Sequence, residues 1–140
     1  MATSPNSLSR AQRALLPCDK HDQDAVATLD KLDSASLMPL LPEILAWLQD
    51  LNWPVAKPVL QLMRKHLPLL IDPVRDILRG DDDPWKSNCL EYLVREMPRE
   101  QQSELIPELQ RLVIHPTPGE MEEEAHLTAE DILEHLQNLG

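Results

Sequence analysis

The prolines of this chain recur in register, and that constrains the fold more than any other feature. Pro42, Pro73 and Pro107 form one series, Pro54, Pro84 and Pro118 a second, and Pro68 and Pro98 a third, all with gaps in the low thirties. Proline removes a backbone donor and breaks helix interiors, but it is tolerated in a helix's first turn. A period of this length is the mark of stacked helical hairpins, each too small to bury its apolar face alone.

The apolar spacing agrees with the prolines. Leu41/Ile44/Leu45/Leu48, Leu70/Val74/Ile77/Leu78 and Leu105/Leu109/Leu112/Val113 each follow helical periodicity, as the first helix of each pair. Val55/Val59/Leu62/Met63, Cys89/Leu90/Leu93/Met97 and Met121/Ala125/Thr128/Ile132/Leu136 do so for the second helices. Leucine occurs 26 times and glycine 3 times, which favours helix over strand. Ahead of the pairs, Asp22 is placed to cap a helix with the apolar face Ala25/Val26/Leu29/Leu32. The expectation is an all-α, HEAT- or armadillo-like α-α superhelix. It has about three hairpins plus an N-terminal helix, as one domain over 13–140 behind a mobile segment 1–12.

Trp47 and Trp53 bracket an unusual turn, "WLQDLNWPVAKPV", and Trp85 follows Pro84 at the equivalent turn one repeat later. Equivalent indoles at equivalent turns suggest packing, so Trp53 and Trp85 are expected to be mostly buried. Asp50 and Asn52 are expected to bond backbone near the "DKHD" segment, because polar groups at a junction need partners. Pro58 fits poorly if its helix starts at Pro54, and fits if the start lies near Lys57.

The chemistry-bearing patterns are sparse. No phosphate-cradling glycine loop, nucleophile elbow or zinc spacing occurs, so neither catalytic residues nor a cofactor or metal are expected. Glu122/His126/Glu130 at i, i+4, i+8 is at best a weak chelating face. Asp81–Asp83 reads as a solvated acidic turn. Cys18 and Cys89 read as buried, reduced thiols of a cytoplasmic protein. The first residues carry no apolar secretory core, and no apolar run is long enough for a membrane span.

The net charge of −11 is uneven. From Leu112 to Gly140 the chain has seven acids and no Lys or Arg. Such a chain is a poor partner for nucleic acid or an anionic membrane and a good one for a basic protein. Two other readings have named residues. Arg64, Lys65, Arg75 and Arg79, with Trp53 or Trp85 for stacking, would serve a nucleic-acid-acting repeat protein. Asp19, His21 and Asp50 would serve a small acid–base enzyme.

"LLPCDKHD" followed by "LLPEILAWLQDLNWPVAKPV", then "DDPWK" and "PTPGEMEEE", resembles an uncharacterised bacterial family of small helical domains over residues 15 to 135. Cys18 departs from that family's pattern, where lysine is usual. The resemblance implies a HEAT-like fold and no assigned activity. It also suggests an immunity- or antitoxin-type inhibitor, with a basic toxin as the partner. The motif residues it carries over are Asp19, Lys20, His21, Asp22, Trp47, Gln49, Asp50, Asn52, Trp53, Lys57, Trp85 and Lys86, of which all but Trp47 and Gln49 form the candidate binding set.

Overall fold

A computed structural model describes residues 8–138, with the side chain of Asn138 left aside. Among these residues the secondary structure is helical, with no strand. The chain divides into two compact units, Met1–Leu69 and Leu70–Gly140.

The first unit opens with α1 (Arg10–Ala14), held by a reciprocal capping box between Ser9 and Gln12. Residues 1–7, the rest of the expected mobile segment, lie outside the described residues. Next come α2 (Gln23–Leu29), capped by Asp22, and α3 (Ser34–Leu37), capped by Asp33. A 3-10 turn (Met38–Leu40) leads into α4 (Leu41–Leu45), with Pro42 in its first turn. A second 3-10 turn (Ala46–Leu48) precedes α5 (Ala56–Arg64). Since α5 starts at Ala56, Pro58 is its third residue, where a missing N–H leaves no bond unmade. Helix α5 packs on α2 and α4. Val26, Leu29, Ile44, Leu45, Leu48, Val59, Leu62 and Met63 form the core between them.

The second unit contains α6 (Ile71–Leu78), α7 (Asp83–Tyr92), α8 (Arg99–Glu104) and α9 (Ile106–Ile114). It ends with α10 (Pro118–Glu122) and α11 (Ala125–Asn138). Pro73 and Pro107 again fall in first turns, Pro84 is the second residue of α7, and Pro118 is the first of α10. Helix α11 packs chiefly on α9 and then on α7. Its buried stripe is Ala125, Ala129, Ile132 and Leu136, whose two alanines leave room for Leu105, Leu109 and Leu112. Gln102, buried on α8, donates its amide to the Val94 carbonyl at 2.8 Å, satisfying a helix-end acceptor.

Three sequence expectations are corrected here. The helix read through Met121 to Leu136 breaks at Glu124, whose φ of 60° is left-handed, so Met121 is half-exposed on α10. The Glu124 carbonyl then accepts from Leu127 and Thr128 and starts α11. Glu122 consequently does not share a helical face with His126 and Glu130. Cys18 is exposed rather than buried; Cys89 is buried, and both are free thiols. Burial pushes the Cys89 thiol up to about 12, which keeps it protonated and inert. Trp53 and Trp85, by contrast, are mostly covered as expected, each keeping a minor part of its surface exposed at a turn.

Trp47 and Trp53 meet edge to face, with ring centroids 5.6 Å apart and planes at 72°. That geometry sets the positive edge of one ring against the negative face of the other. Replacing Trp47 and Trp53 by alanine, singly and together, is therefore expected to destabilise the fold less than additively. Urea unfolding should give a coupling of about 0.5–1.5 kcal/mol; strict additivity would show that the rings are neighbours without interaction.

Candidate functional site

The candidate residues fall into two polar assemblies, one in each unit. In the first, the "DKHD" segment is a turn closed on its own backbone. The Asp19 carboxylate accepts from the His21 N–H at 2.9 Å. Asp22 accepts from Cys18 N–H at 2.9 Å and from Ala25 N–H at 3.2 Å, the second bond being the cap of α2. The Cys18 N–H bond holds the Asp22 carboxyl below its usual range, and Asp22 in turn pushes the Cys18 thiol up. Asp50 accepts from Asn52 N–H at 2.9 Å, in a turn of the same kind.

The two turns do dock on each other, but through backbone. Val55 N–H donates to the Lys20 carbonyl at 3.0 Å, and the Gln23 amide reaches the Pro54 carbonyl at 3.4 Å. The expectation that Asp50 would bond the "DKHD" backbone is thus replaced by a local bond, since the nearest unsatisfied donor lies two residues away. Asp19, Lys20, His21, Asn52 and Lys57 are exposed. The carboxylates proposed for acid–base work, Asp19 and Asp50, are each engaged by a backbone N–H of their own turn.

The second assembly is built from "DDPWK" and "PTPGE". Asp82 caps α7 by accepting from Trp85 N–H at 3.0 Å, which directs Lys86 inward one turn later. Thr117 and Glu120 form a capping box at the start of α10, with bonds of 2.9 and 3.1 Å. The box turns the Glu120 carboxylate into the protein, where the residue is 0% exposed. Lys86, 2% exposed, places Nζ 2.7 Å from Glu120 and 2.9 Å from Asp83. Arg111 of α9 grips the same Glu120 carboxylate with both terminal nitrogens at 2.6 Å.

A buried carboxylate is costly unless it is paired and hydrogen-bonded throughout. Glu120 meets that condition: the Arg111 bonds, aided by Lys86 and Thr117, outweigh burial and bring its pKa to about 2. Burial opposes the charge on Lys86, yet the bonds to Glu120 and Asp83 prevail and raise its pKa. Asp83 comes this close because residue 119 is glycine. A Cβ there would sit 1.9 Å from the Asp83 carboxylate.

An open cleft of about 360 Å³ lies over this network, with Arg79, Asp81 and Thr117 also on its walls. Arg79 is held by Glu108 at 2.7 Å, and Arg75 bonds Asp72 at 2.9 Å. Arg75 also lies 3.5 Å from Glu108, an ion pair too loose for a hydrogen bond. The cleft floor balances two cations against two carboxylates. With Glu120 ionised down to about pH 2 and Lys86 kept protonated, neither is poised for proton transfer near neutrality.

Of the candidate residues, the structure brings Lys86 into a charged cluster and leaves Trp85 half-buried at its edge. Sequence reasoning missed Glu120, Arg111 and Gly119, and it read Asp83 as part of a solvated turn, whereas Asp83 is mostly covered and ion-paired with Lys86. One signal was available: Thr117-x-x-Glu120 with proline between is a capping-box pattern, and Glu120 stands one repeat beyond Lys86.

The family described as a domain of unknown function (DUF5071) matches residues 15–133. The chain belongs to this family. The match contains both assemblies, the turn pair at 19–55 and the ion network at 83–120. No curated protein matches the chain.

Glu120→Gln is expected to lower stability by about 3 kcal/mol at pH 7, the low end for one partner lost from a buried ion network. The sign with pH follows from the depressed pKa. The stabilisation is complete above the ordinary glutamate value of 4.5 and is lost as pH falls toward 2. In urea titrations the gap between wild type and Glu120→Gln should therefore narrow below pH 4.5. Gly119→Ala should lower the melting temperature by displacing Asp83 from Lys86, at roughly 1–3 kcal/mol. An unchanged melting temperature would mean that Asp83 moves aside freely.

Proposed function

We propose that this chain is a non-catalytic protein-interaction domain that binds a basic partner protein through its acidic surface, as an immunity-type inhibitor binds a toxin. One observation carries the reading. The cations of the second unit are paired within the chain, while most of its acids face solvent. Arg75 and Arg79 pair with Glu108, Lys86 and Arg111 with Glu120, and Arg95 with Glu91 and Asp131. Glu122, Glu123, Glu124, Glu130 and Glu134 are exposed, and among the described residues no cation pairs with them. The excess negative charge of the sequence therefore reaches the surface as unpaired carboxylates, which favours a cationic partner and speeds its approach.

The same pairing weighs against nucleic acid, because Arg75, Arg79 and Lys65 are already held by Glu108, Asp72 and Asp30. No helix among the described residues is long and apolar enough to cross a membrane. A stacked-hairpin scaffold of HEAT type, working in the cytoplasm, suits this role because such scaffolds present extended faces to other proteins.

Affinity purification from the native cell at low salt, followed by reconstitution with the purified partner, tests the proposal. The expected result is a one-to-one complex with a basic protein. Its association rate should fall about tenfold or more between low and physiological salt, while dissociation changes little. An immunity role further requires that co-expression restore growth to cells making the partner. A salt-independent association rate, or no stoichiometric partner, would overturn it.

A further inference from the structure

Resting on that reading, we infer that the docking face is the outer side of α11 with the adjoining α10, and that Leu127 is its apolar anchor. The turn cluster around Asp19 and Trp53 is then structural. On α11 the buried stripe Ala125/Ala129/Ile132/Leu136 fixes the opposite, outward face as Leu127, Glu130, Asp131 and Glu134, by the helical period. Leu127 is 49% exposed at the N-terminal end of this row of acids. Single exposed leucines are ordinary. Here, however, Met121 on α10 and Ile114 at the end of α9 are 50% and 66% exposed as well. Both α9 and α10 pack against α11.

Charge decides what covers this face. A second copy of the chain would set Glu130 and Glu134 against their own equivalents, and like charges in contact cost several kcal/mol. Asp131 is largely neutralised by Arg95, but Glu130 and Glu134 have no cation partner among the described residues. The occupant that complements both features is a basic segment of another protein that carries an apolar residue for Leu127. Leucine supplies desolvated contact, and the flanking glutamates supply rate and register.

The test uses a fluorescently labelled amphipathic helical peptide of lysine and leucine, with oligolysine as the charge-only comparison, and reads binding by anisotropy. Leu127→Ser, and Glu130→Gln with Glu134→Gln, are each expected to weaken the amphipathic peptide about tenfold with unchanged melting temperature. Asp24→Asn with Asp76→Asn removes the same charge elsewhere and should weaken it less than about threefold. Equal loss in both charge-removing pairs, or indifference to Leu127→Ser, would overturn the assignment of the face and leave binding of basic partners standing. No binding of either peptide by the wild type would overturn the interaction reading itself, and this inference with it. A wild-type dimer in sedimentation that Leu127→Ser disperses would show that a second copy covers the face, and would also overturn it.

Discussion

The Glu120 carboxylate organises the second unit. It is shielded from water and must be satisfied by protein alone. Arg111 meets it from α9, Lys86 from α7, and the Thr117 backbone from the start of its own helix. Each bond is worth little net against water, but each becomes costly once its partner is removed. The network therefore acts as a specificity device. It fixes how three helices approach each other, where leucine packing alone would accept several arrangements. Gly119 belongs to the same device, since only a residue without a side chain lets Asp83 reach Lys86.

The first unit solves its polar problem differently. Asp19, Asp22, Asp33 and Asp50 are all engaged by backbone N–H groups of nearby residues. Caps and turns of this kind set where helices begin without burying charge. The bond from Val55 to the Lys20 carbonyl then joins two such turns. The carboxylates of Asp19, Asp22 and Asp50 are thus occupied in shaping the turns that meet at this junction. In the second unit, by contrast, Glu130 and Glu134 of α11 face solvent with no cation partner among the described residues.

The pairing of cations within the chain decides which charge faces water. Arg75, Arg79, Lys86, Arg95 and Arg111 are committed to intramolecular carboxylates, and the charge left facing water is that of the remaining acids. A reading from net charge alone reaches the right sign. It misses that the small basic segment between Val55 and Gly80 offers little to an outside anion, because Asp30, Asp72 and Glu108 already engage Lys65, Arg75 and Arg79.

The sequence by itself determined the helices and their starts. Pro42, Pro73 and Pro107 fall in first turns, and the stripes through Ile44, Val74 and Leu109 are buried, because proline chemistry and helical period are local rules. The capping role of Asp22 was legible for the same reason. The tertiary structure alone decided that Lys86 and Glu120 meet and that Arg111 is the third member. It also decided that the last helix breaks at Glu124, where the left-handed backbone lets α10 turn Glu120 inward while α11 lies along α9. These outcomes depend on which side chains face one another once distant segments pack, and on which charges lose their water in doing so. No local spacing encodes either.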